Sequence, residues 1–447
     1  MNTPICDFIN EYAKKGTLRL HMPGHKGKDH LGFEKFDITE FTGADSLFHA
    51  DGIIKASEEN ATKLFGTRKT LYSTEGSSLC IRAMLYLAKI YSGDERSYVL
   101  AGRNAHTAFI SACALNDLDV EWLYPEKDEN YLSCTITPEK LEKALTRVDK
   151  KPCCVYITSP DYLGNMCNIS ALSKVCKSYN IPLVVDNAHG AYLKFLEKDL
   201  HPISLGATMC CDSAHKTLPV LTGGAYLHIS KASPSFFSKN AKNALSLFAS
   251  TSPSYLILAS LDKANKYIAS GYSEKLSSLI AELNNLLSDF VFCTLQSSFS
   301  LREPSKITIE AKKIGYVGVD FAKILEDNGI MCEFYDNDFV VLMPSVENGT
   351  DELKQLAEIL SSIPKKPPIA KENLILEHPK QVMSIRNATF SQREKVNIDN
   401  ALGRVLAVSN VSCPPAVSVI VSGEEFNESA IELCRYYGFD SFWVVKK

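Results

Sequence analysis

Lys216 lies in a polar cluster, Asp212-Ser213-Ala214-His215-Lys216-Thr217, directly after the apolar run Ala207–Cys211. An amine held at the end of a buried strand is poorly solvated. Its pKa tends to fall and its nucleophilicity to rise, as a Schiff-base lysine requires. Asp186 closes a second apolar run, Leu183-Val184-Val185, and offers a buried carboxylate to a protonated heterocyclic nitrogen. Ala188 is small enough for a flat ring to approach, and points the same way as Asp186 if the strand persists; His106 can cover the other face. At Gly76-Ser77-Ser78 a strand-like run turns into a helix, so free backbone N–H groups and the helix dipole favour an anion such as phosphate. One ligand uses an aldehyde, a phosphate, a flat ring and a ring nitrogen together: pyridoxal 5′-phosphate (PLP), whose pyridinium is an electron sink. Each residue also has a plain structural reading. Lys216 fits a surface turn, Asp186 a helix cap, His189 and His215 satisfied core histidines, and Ser213 a turn cap.

The elements that must position these groups alternate. Strand-like runs fall at Thr70–Thr74, Ser97–Ala101, Val120–Tyr124, Cys153–Thr158 and Pro182–Asp186. Helical patterns lie between them at Ala105–Leu115, Pro138–Leu145 with Thr137 as cap, and Ala171–Tyr179 with Ser170 as cap. Ser57 is expected to cap a helix that Gly66 ends, and Gly76 to open another that Gly93 ends. This βαβα order predicts an α/β fold with a mostly parallel, helix-covered sheet. Ligands of such sheets gather beyond the carboxyl ends of the strands. His106, Asp161, Asp186, His189 and Lys216 all fall at or past such ends. Ser246–Tyr267 beyond the Thr251–Tyr255 turn and Ser273–Phe290 read as further helices. Strands at Lys306–Glu310 and Phe339–Leu342, with helices at Gly318–Asn328 and Thr350–Leu360, suit a smaller α/β lobe.

Composition narrows the class. With 45% hydrophobic and 22% charged residues the chain is an ordinary globular one, and 48 Lys plus Arg against 52 Asp plus Glu leave a net charge of -4. No basic footprint for nucleic acid or an anionic membrane follows. No apolar run reaches the length of a membrane span, and the N-terminus has no signal pattern. The 14 cysteines contain no C-x-x-C and fit buried reduced thiols of a cytoplasmic enzyme. His21 and His25 are four apart, but Pro23 and Gly24 between them rule out a regular helix, so no metal site is expected.

The chain resembles the ornithine/lysine/arginine decarboxylase family, PLP enzymes of the aspartate-aminotransferase-like fold (fold type I). The resemblance rests on His21-Met22-Pro23-Gly24-His25-Lys26-Gly27, Arg103-Asn104-Ala105-His106, Ser159–Gly164, Asp186-Asn187-Ala188-His189-Gly190-Ala191, Ser213–Pro219 and Thr251–Tyr255. It continues through Asn400–Arg404 and Cys413-Pro414-Pro415 to Ser422-Gly423-Glu424. It implies Lys216 as the Schiff-base lysine, Asp186 on the pyridine nitrogen, His106 stacked on the ring, and Ser77, Ser78, Ser213 and His215 around the phosphate. His215 or His106 would lie near the proton path. Three positions depart from the family pattern. Asn187 stands where Glu is common, Ser73–Ser78 replaces the usual phosphate turn, and Ser422 stands where Pro is common. The family's N-terminal wing is expected to be absent.

The expected organisation is a 1–56 N-terminal arm, a 57–285 PLP-binding domain, a 286–363 small α/β domain and a 369–447 C-terminal decarboxylase-type domain, with Pro364–Pro368 as linker. The expected function is decarboxylation of arginine, lysine or ornithine by a cytoplasmic homodimer, feeding polyamine metabolism. Substrate-selecting acids are sought at Asp161, Glu424, Glu75 and Glu425. The alternatives are an aminotransferase or lyase of the same fold, and a cofactor-binding protein without turnover.

Overall fold

The computed structural model describes every residue except 95, 96, 125–130, 148, 149, 291, 295–300, 371, 373, 375, 376 and 409–416. The Cys413-Pro414-Pro415 run therefore lies outside the described residues.

Seven strands form the main sheet: β1 (Lys69–Ser73), β2 (Tyr98–Gly102), β3 (Asp119–Leu123), β4 (Cys154–Thr158), β5 (Leu183–Asp186), β6 (Met209–Asp212) and β7 (Ala225–Ile229), in the order β1-β7-β6-β5-β4-β2-β3. The pairs β2–β3, β2–β4 and β5–β6 are parallel, and β7 runs antiparallel to β1 and β6. The mostly parallel sheet read from the sequence is present. Every residue of β5 and β6 is buried. A strand covered on both faces needs no polar alternation, which explains the unbroken apolar runs.

The chain forms two compact units, Met1–Gly93 with Ile169–Lys275, and Asp94–Asn168 with Leu276–Lys447. In the first unit, α1 (Pro4–Lys14) buries Ile5 and Ile9, α2 spans Ile53–Phe65 and α3 spans Gly76–Ser92. Gly66 and Gly93 end α2 and α3 in the left-handed conformation, as expected.

The start of α2 departs from expectation. The helix begins at Ile53, inside the segment read as an irregular arm, and Ser57 is an interior residue. The cap comes from Asp45, whose carboxylate accepts the N–H groups of Gly52 and Ile54 at 3.0 and 2.9 Å, besides those of Ser46 and Asp51. Ser57 points inward, its Oγ donating to Asp262 Oδ1 at 2.6 Å, and Tyr72 Oη donates to the Ser57 carbonyl at 3.0 Å. A capping residue seven positions upstream leaves no local signature, whereas Ser followed by two glutamates imitates one.

Burial opposes ionisation of Asp45, but the backbone N–H groups outweigh it and hold its carboxyl below the usual range. Asp45→Ala is expected to cost ~1–2 kcal/mol, read as a lower urea midpoint with unchanged slope. That contribution is fully present above the unfolded carboxyl pKa of about 3.9 and is lost as pH falls through the lower folded value.

Other boundaries shift. The helix expected from Ala171 starts at Ile169, so Ser170 lies within it rather than capping it. The helix expected beyond the Thr251–Tyr255 turn is present as Tyr255–Ile268, capped by Ser254, while Ser246 belongs to a separate helix before the turn, Ser235–Phe248. The intervening Thr251-Ser252-Pro253-Ser254 carries the break, since Pro253 pushes Ser252 out of the helical region.

In the second unit the helix Pro138–Leu145 starts behind Thr137 as read. Four short antiparallel strands, in the order Phe334–Tyr335, Val340–Leu342, Ile307–Ile309 and Cys293–Thr294, belong with helices Gly318–Asp327 and Thr350–Ser362. The C-terminal part holds the strands Arg393–Asn397, Ser441–Val445 and Leu406–Val408 with helix Glu428–Tyr436. The thirteen described cysteines are free thiols. Among the described residues no helix is long and apolar enough to cross a membrane.

Candidate active site

The first unit gathers most of the chemistry-bearing residues. The ladder ends at Asp186, which pairs with Cys211 and is 2% exposed. Its Oδ1 accepts the Ala188 N–H at 3.2 Å. Ala188 thus sits in the turn after the strand, and its expected alignment with Asp186 along a continuing strand is not found. A bond from the carboxylate back to the N–H two residues on is an Asx turn, which stops the strand there. His189 follows, buried, with Nε2 2.9 Å from Lys216 Nζ. Gly190 has no alternative: a Cβ there would meet Asn187 Oδ1 at 2.1 Å.

Lys216 occupies a single helical turn, Ala214–Thr217, rather than an open strand-to-strand turn. Its N–H bonds the Ser213 carbonyl at 3.0 Å, which aims the side chain from a fixed backbone. His215 Nδ1 lies 3.0 Å from the Gly224 carbonyl and therefore carries a hydrogen, which fixes the ring's orientation. Ser213 Oγ donates to Ser77 Oγ at 2.8 Å, which joins the lysine turn to the start of α3. There Gly76 takes a φ of +68° and donates its N–H to the Gly223 carbonyl at 2.7 Å. A Cβ on Gly76 would have nothing within 4 Å, so the backbone is open on that side. Ser77 and Ser78, in the first turn of α3, carry N–H groups that the helix itself does not use. An amine, a buried carboxylate, two bonded hydroxyls and a helix start thus share one unit, the donor set that an aldehyde-bearing phosphate ester of a protonated pyridine requires.

Beneath the turn lies a network that sequence reasoning missed. Asp212, at the end of β6 and 0% exposed, accepts His201 Nε2 and His228 Nε2 on Oδ2, each at 3.0 Å, and Asn187 Nδ2 on Oδ1 at 2.7 Å. Thr70 Oγ1 lies 2.9 Å from His228 Nδ1, and the Ile203 N–H points at His201 Nδ1 at 3.4 Å. Both rings therefore present Nε2–H to the carboxylate. Burial would raise the Asp212 carboxyl, but the two imidazoles outweigh it and hold it well below the usual range; burial pushes His228 down. Cys210 completes a His201–Cys210–Asp212 grouping of metal-ligand type, yet both ring nitrogens facing the carboxylate already donate to it. The legible signal was His228 inside the apolar run Ala225–Ile229: a polar side chain in a buried strand demands a partner.

The arm histidines have partners too: His21 Nε2 is 2.7 Å from Tyr12 Oη, and His25 Nε2 is 3.2 Å from Asp37. Glu75 Oε1 accepts the Ser250 N–H at 2.8 Å.

Four sequence-selected residues belong to the second unit. His106 caps the helix Thr107–Asn116, its Nδ1 accepting the Ala108 N–H at 3.0 Å, and it bridges to Val417. The helix expected from Ala105 therefore starts two residues later. Asp161 is 3% exposed and its carboxylate is fully used: Oδ1 accepts the Leu163 and Asn165 N–H groups, both at 2.9 Å, and Oδ2 accepts Ser133 Oγ at 2.7 Å and Asn165 Nδ2 at 3.0 Å. Glu424 is 0% exposed; its Oε2 accepts Arg103 at 3.0 Å and the Val421 N–H at 2.8 Å. Both acids bond to the chain around them, and Glu424 Oε1 is buried without a hydrogen-bond partner among the described residues. Glu425, beside Glu424, is exposed. Arg103, the missed partner, also donates to the carbonyls of Ser418 and Val419.

Residues 3–291 match the family described as Orn/Lys/Arg decarboxylase, major domain, and residues 370–442 match its C-terminal domain. The chain is 28% identical to the arginine decarboxylase of Halalkalibacterium halodurans, covering 97% of this chain and 93% of that one. It is 27% identical to that of Bacillus anthracis, with 97% and 92% covered. The solved lysine decarboxylase of Francisella novicida superposes with a TM-score of 0.80 at 17% identity, covering 99% of this chain and 81% of that one. That likeness shows the fold, the fold type I of PLP-dependent enzymes.

Proposed function

Because the chain belongs to the Orn/Lys/Arg decarboxylase family, we propose that it removes the α-carboxylate of a basic amino acid, arginine, lysine or ornithine, using PLP attached to Lys216. The observation that carries this reading is the meeting of Lys216 Nζ with His189 Nε2 at 2.9 Å, in the same unit as the buried Asp186 and the Ser77–Ser213 pair. When bound, PLP supplies an electron sink for the pair left as carbon dioxide departs.

The chain's own residues do the rest. Asp186, buried at the strand end, would keep a proton on the ring nitrogen, without which the sink is weak. Ser77, Ser78 and Ser213 present hydroxyls and first-turn N–H groups to the phosphate, with His215 beside them and the α3 dipole favouring its charge. Lys216 Nζ holds the cofactor and yields its place to the amino group of the substrate. Lys216 Nζ and His189 Nε2, sharing one hydrogen, are the pair we assign to returning a proton to Cα. His106 is assigned to the ring face. A cytoplasmic homodimer is the working form we propose.

The test is product analysis. With PLP-loaded protein and arginine, lysine and ornithine offered separately, at least one is expected to give carbon dioxide and the corresponding amine in equal amounts. A keto acid without carbon dioxide would replace this reading with aminotransfer, and visible cofactor absorbance without turnover of any amino acid would replace it with a binding role.

A further inference from the structure

Asp212 touches no group assigned above, yet its surroundings tie it to Asp186. Asn187 follows Asp186 directly, and its N–H extends the ladder to the Cys211 carbonyl at 3.0 Å. Its side chain then reaches Asp212 Oδ1 at 2.7 Å, while its Oδ1 packs where Gly190 lacks a Cβ. Asn187 is thus held at its backbone and its amide nitrogen, while its amide oxygen packs beside Gly190 without a hydrogen-bond partner among the described residues. The turn Asp186-Asn187-Ala188-His189 carries both the carboxylate for the ring nitrogen and the imidazole on Lys216, so whatever holds Asn187 sets both. Asp212 is itself immobilised by His201 and His228, which donate to its other oxygen. The cluster thus sets one carboxylate against three N–H donors. A second carboxylate at 187 would put two anions 2.7 Å apart with no exposed surface. Position 187 is here a neutral donor, opposite a carboxylate that has no use for a second anion.

We propose that Asp212 is a positioning residue for the cofactor turn, acting through Asn187, and that the two positions form a matched donor–anion pair in which only one member can be acidic. The inference rests on the PLP reading above for its link to the cofactor, but the pairing itself does not.

A reversed pair tests it, because Asn and Asp have the same shape. Thermal unfolding is measured on the cofactor-free protein for wild type, Asn187→Asp, Asp212→Asn and the double variant. Asn187→Asp is expected to lower Tm by about 5 °C or more, as two buried carboxylates meet. The double variant restores a single charge and a single N–H donor between the positions, and is expected to recover most of that loss. PLP is then added. Asn187→Asp is expected to bind it at least tenfold more weakly, and the double variant to return to within about threefold of wild type. Asp212→Asn, which keeps the shape and removes the charge, is expected to lower the pH midpoint of the visible band of bound PLP by about half a unit, since a nearby anion favours the protonated cofactor. A residue that merely fills space would leave that midpoint where it was. The proposal is overturned if Asn187→Asp is as stable as wild type, if the double variant is no better than Asn187→Asp, or if the midpoint does not move. If wild type itself shows no visible band with PLP, the cofactor reading and the positioning role fail, while the thermal comparison still decides the pairing.

Discussion

Lys216→Ala is expected to lose decarboxylation by ~10³-fold or more, and to lose covalent capture of PLP altogether. Lys216 is half-buried on a one-turn helix whose backbone bonds run to Ser213 and Gly224, so truncating its side chain removes the amine without disturbing its support. Its hydrogen bond with His189 disappears as well, leaving a buried imidazole with one partner fewer. The check is reduction of the PLP-loaded protein with borohydride, followed by digestion and mass spectrometry. Wild type should carry the reduced adduct on the peptide containing Lys216, and the variant on none. An adduct of full yield on another lysine in wild type would sink the assignment.

The second large effect concerns stability, far from any reacting atom. Arg103→Ala leaves Glu424 buried, with the Val421 N–H as its remaining donor and no ion-pair partner among the described residues. Breaking a buried pair on one side costs ~3–5 kcal/mol, whereas replacing both members by apolar residues of similar volume costs much less. Denaturant unfolding of Arg103→Ala beside Arg103→Met/Glu424→Leu should therefore show the single variant to be the less stable. Burial already pushes the Glu424 carboxyl up against the pull of Arg103. Without the arginine that rise grows, so the folded state takes up a proton at a pH where the unfolded state has lost it. The deficit of Arg103→Ala should accordingly shrink as pH is lowered towards 5. A deficit that does not change between pH 8 and pH 5 would show that the lost carbonyl contacts of Arg103, not the stranded charge, dominate.

Legibility in the sequence followed the range of the interactions. Strands β4 and β5 and the helix Pro138–Leu145 were readable because apolar runs, caps and prolines act within a few residues. The α2 start was not, because Asp45 caps it across a loop, and Ser57 serves a hydrogen bond 205 positions away in Asp262. The site divided along the same line. Lys216, Asp186 and Gly76-Ser77-Ser78 declared themselves by type and by position at strand ends. Asp161 and Glu424 looked like free acids because their donors come from other stretches, Ser133 and Arg103 among them. Asp212 stood in plain view beside the lysine, but its meaning depends on His201, His228 and Asn187, which only the folded sheet brings to it.

The Asp262 carboxylate has one more consequence. Besides Ser57 it accepts the N–H groups of Ile5 and Cys6, both at 3.0 Å, so the first turn of α1 is fastened to the helix Tyr255–Ile268 and, through Tyr72 and Asn265, to β1. The opening residues therefore work as a clasp on the lysine-bearing unit rather than as a trailing end. For recombinant production this argues for keeping them intact and placing an affinity tag at the carboxyl end, or ahead of Met1 behind a flexible spacer.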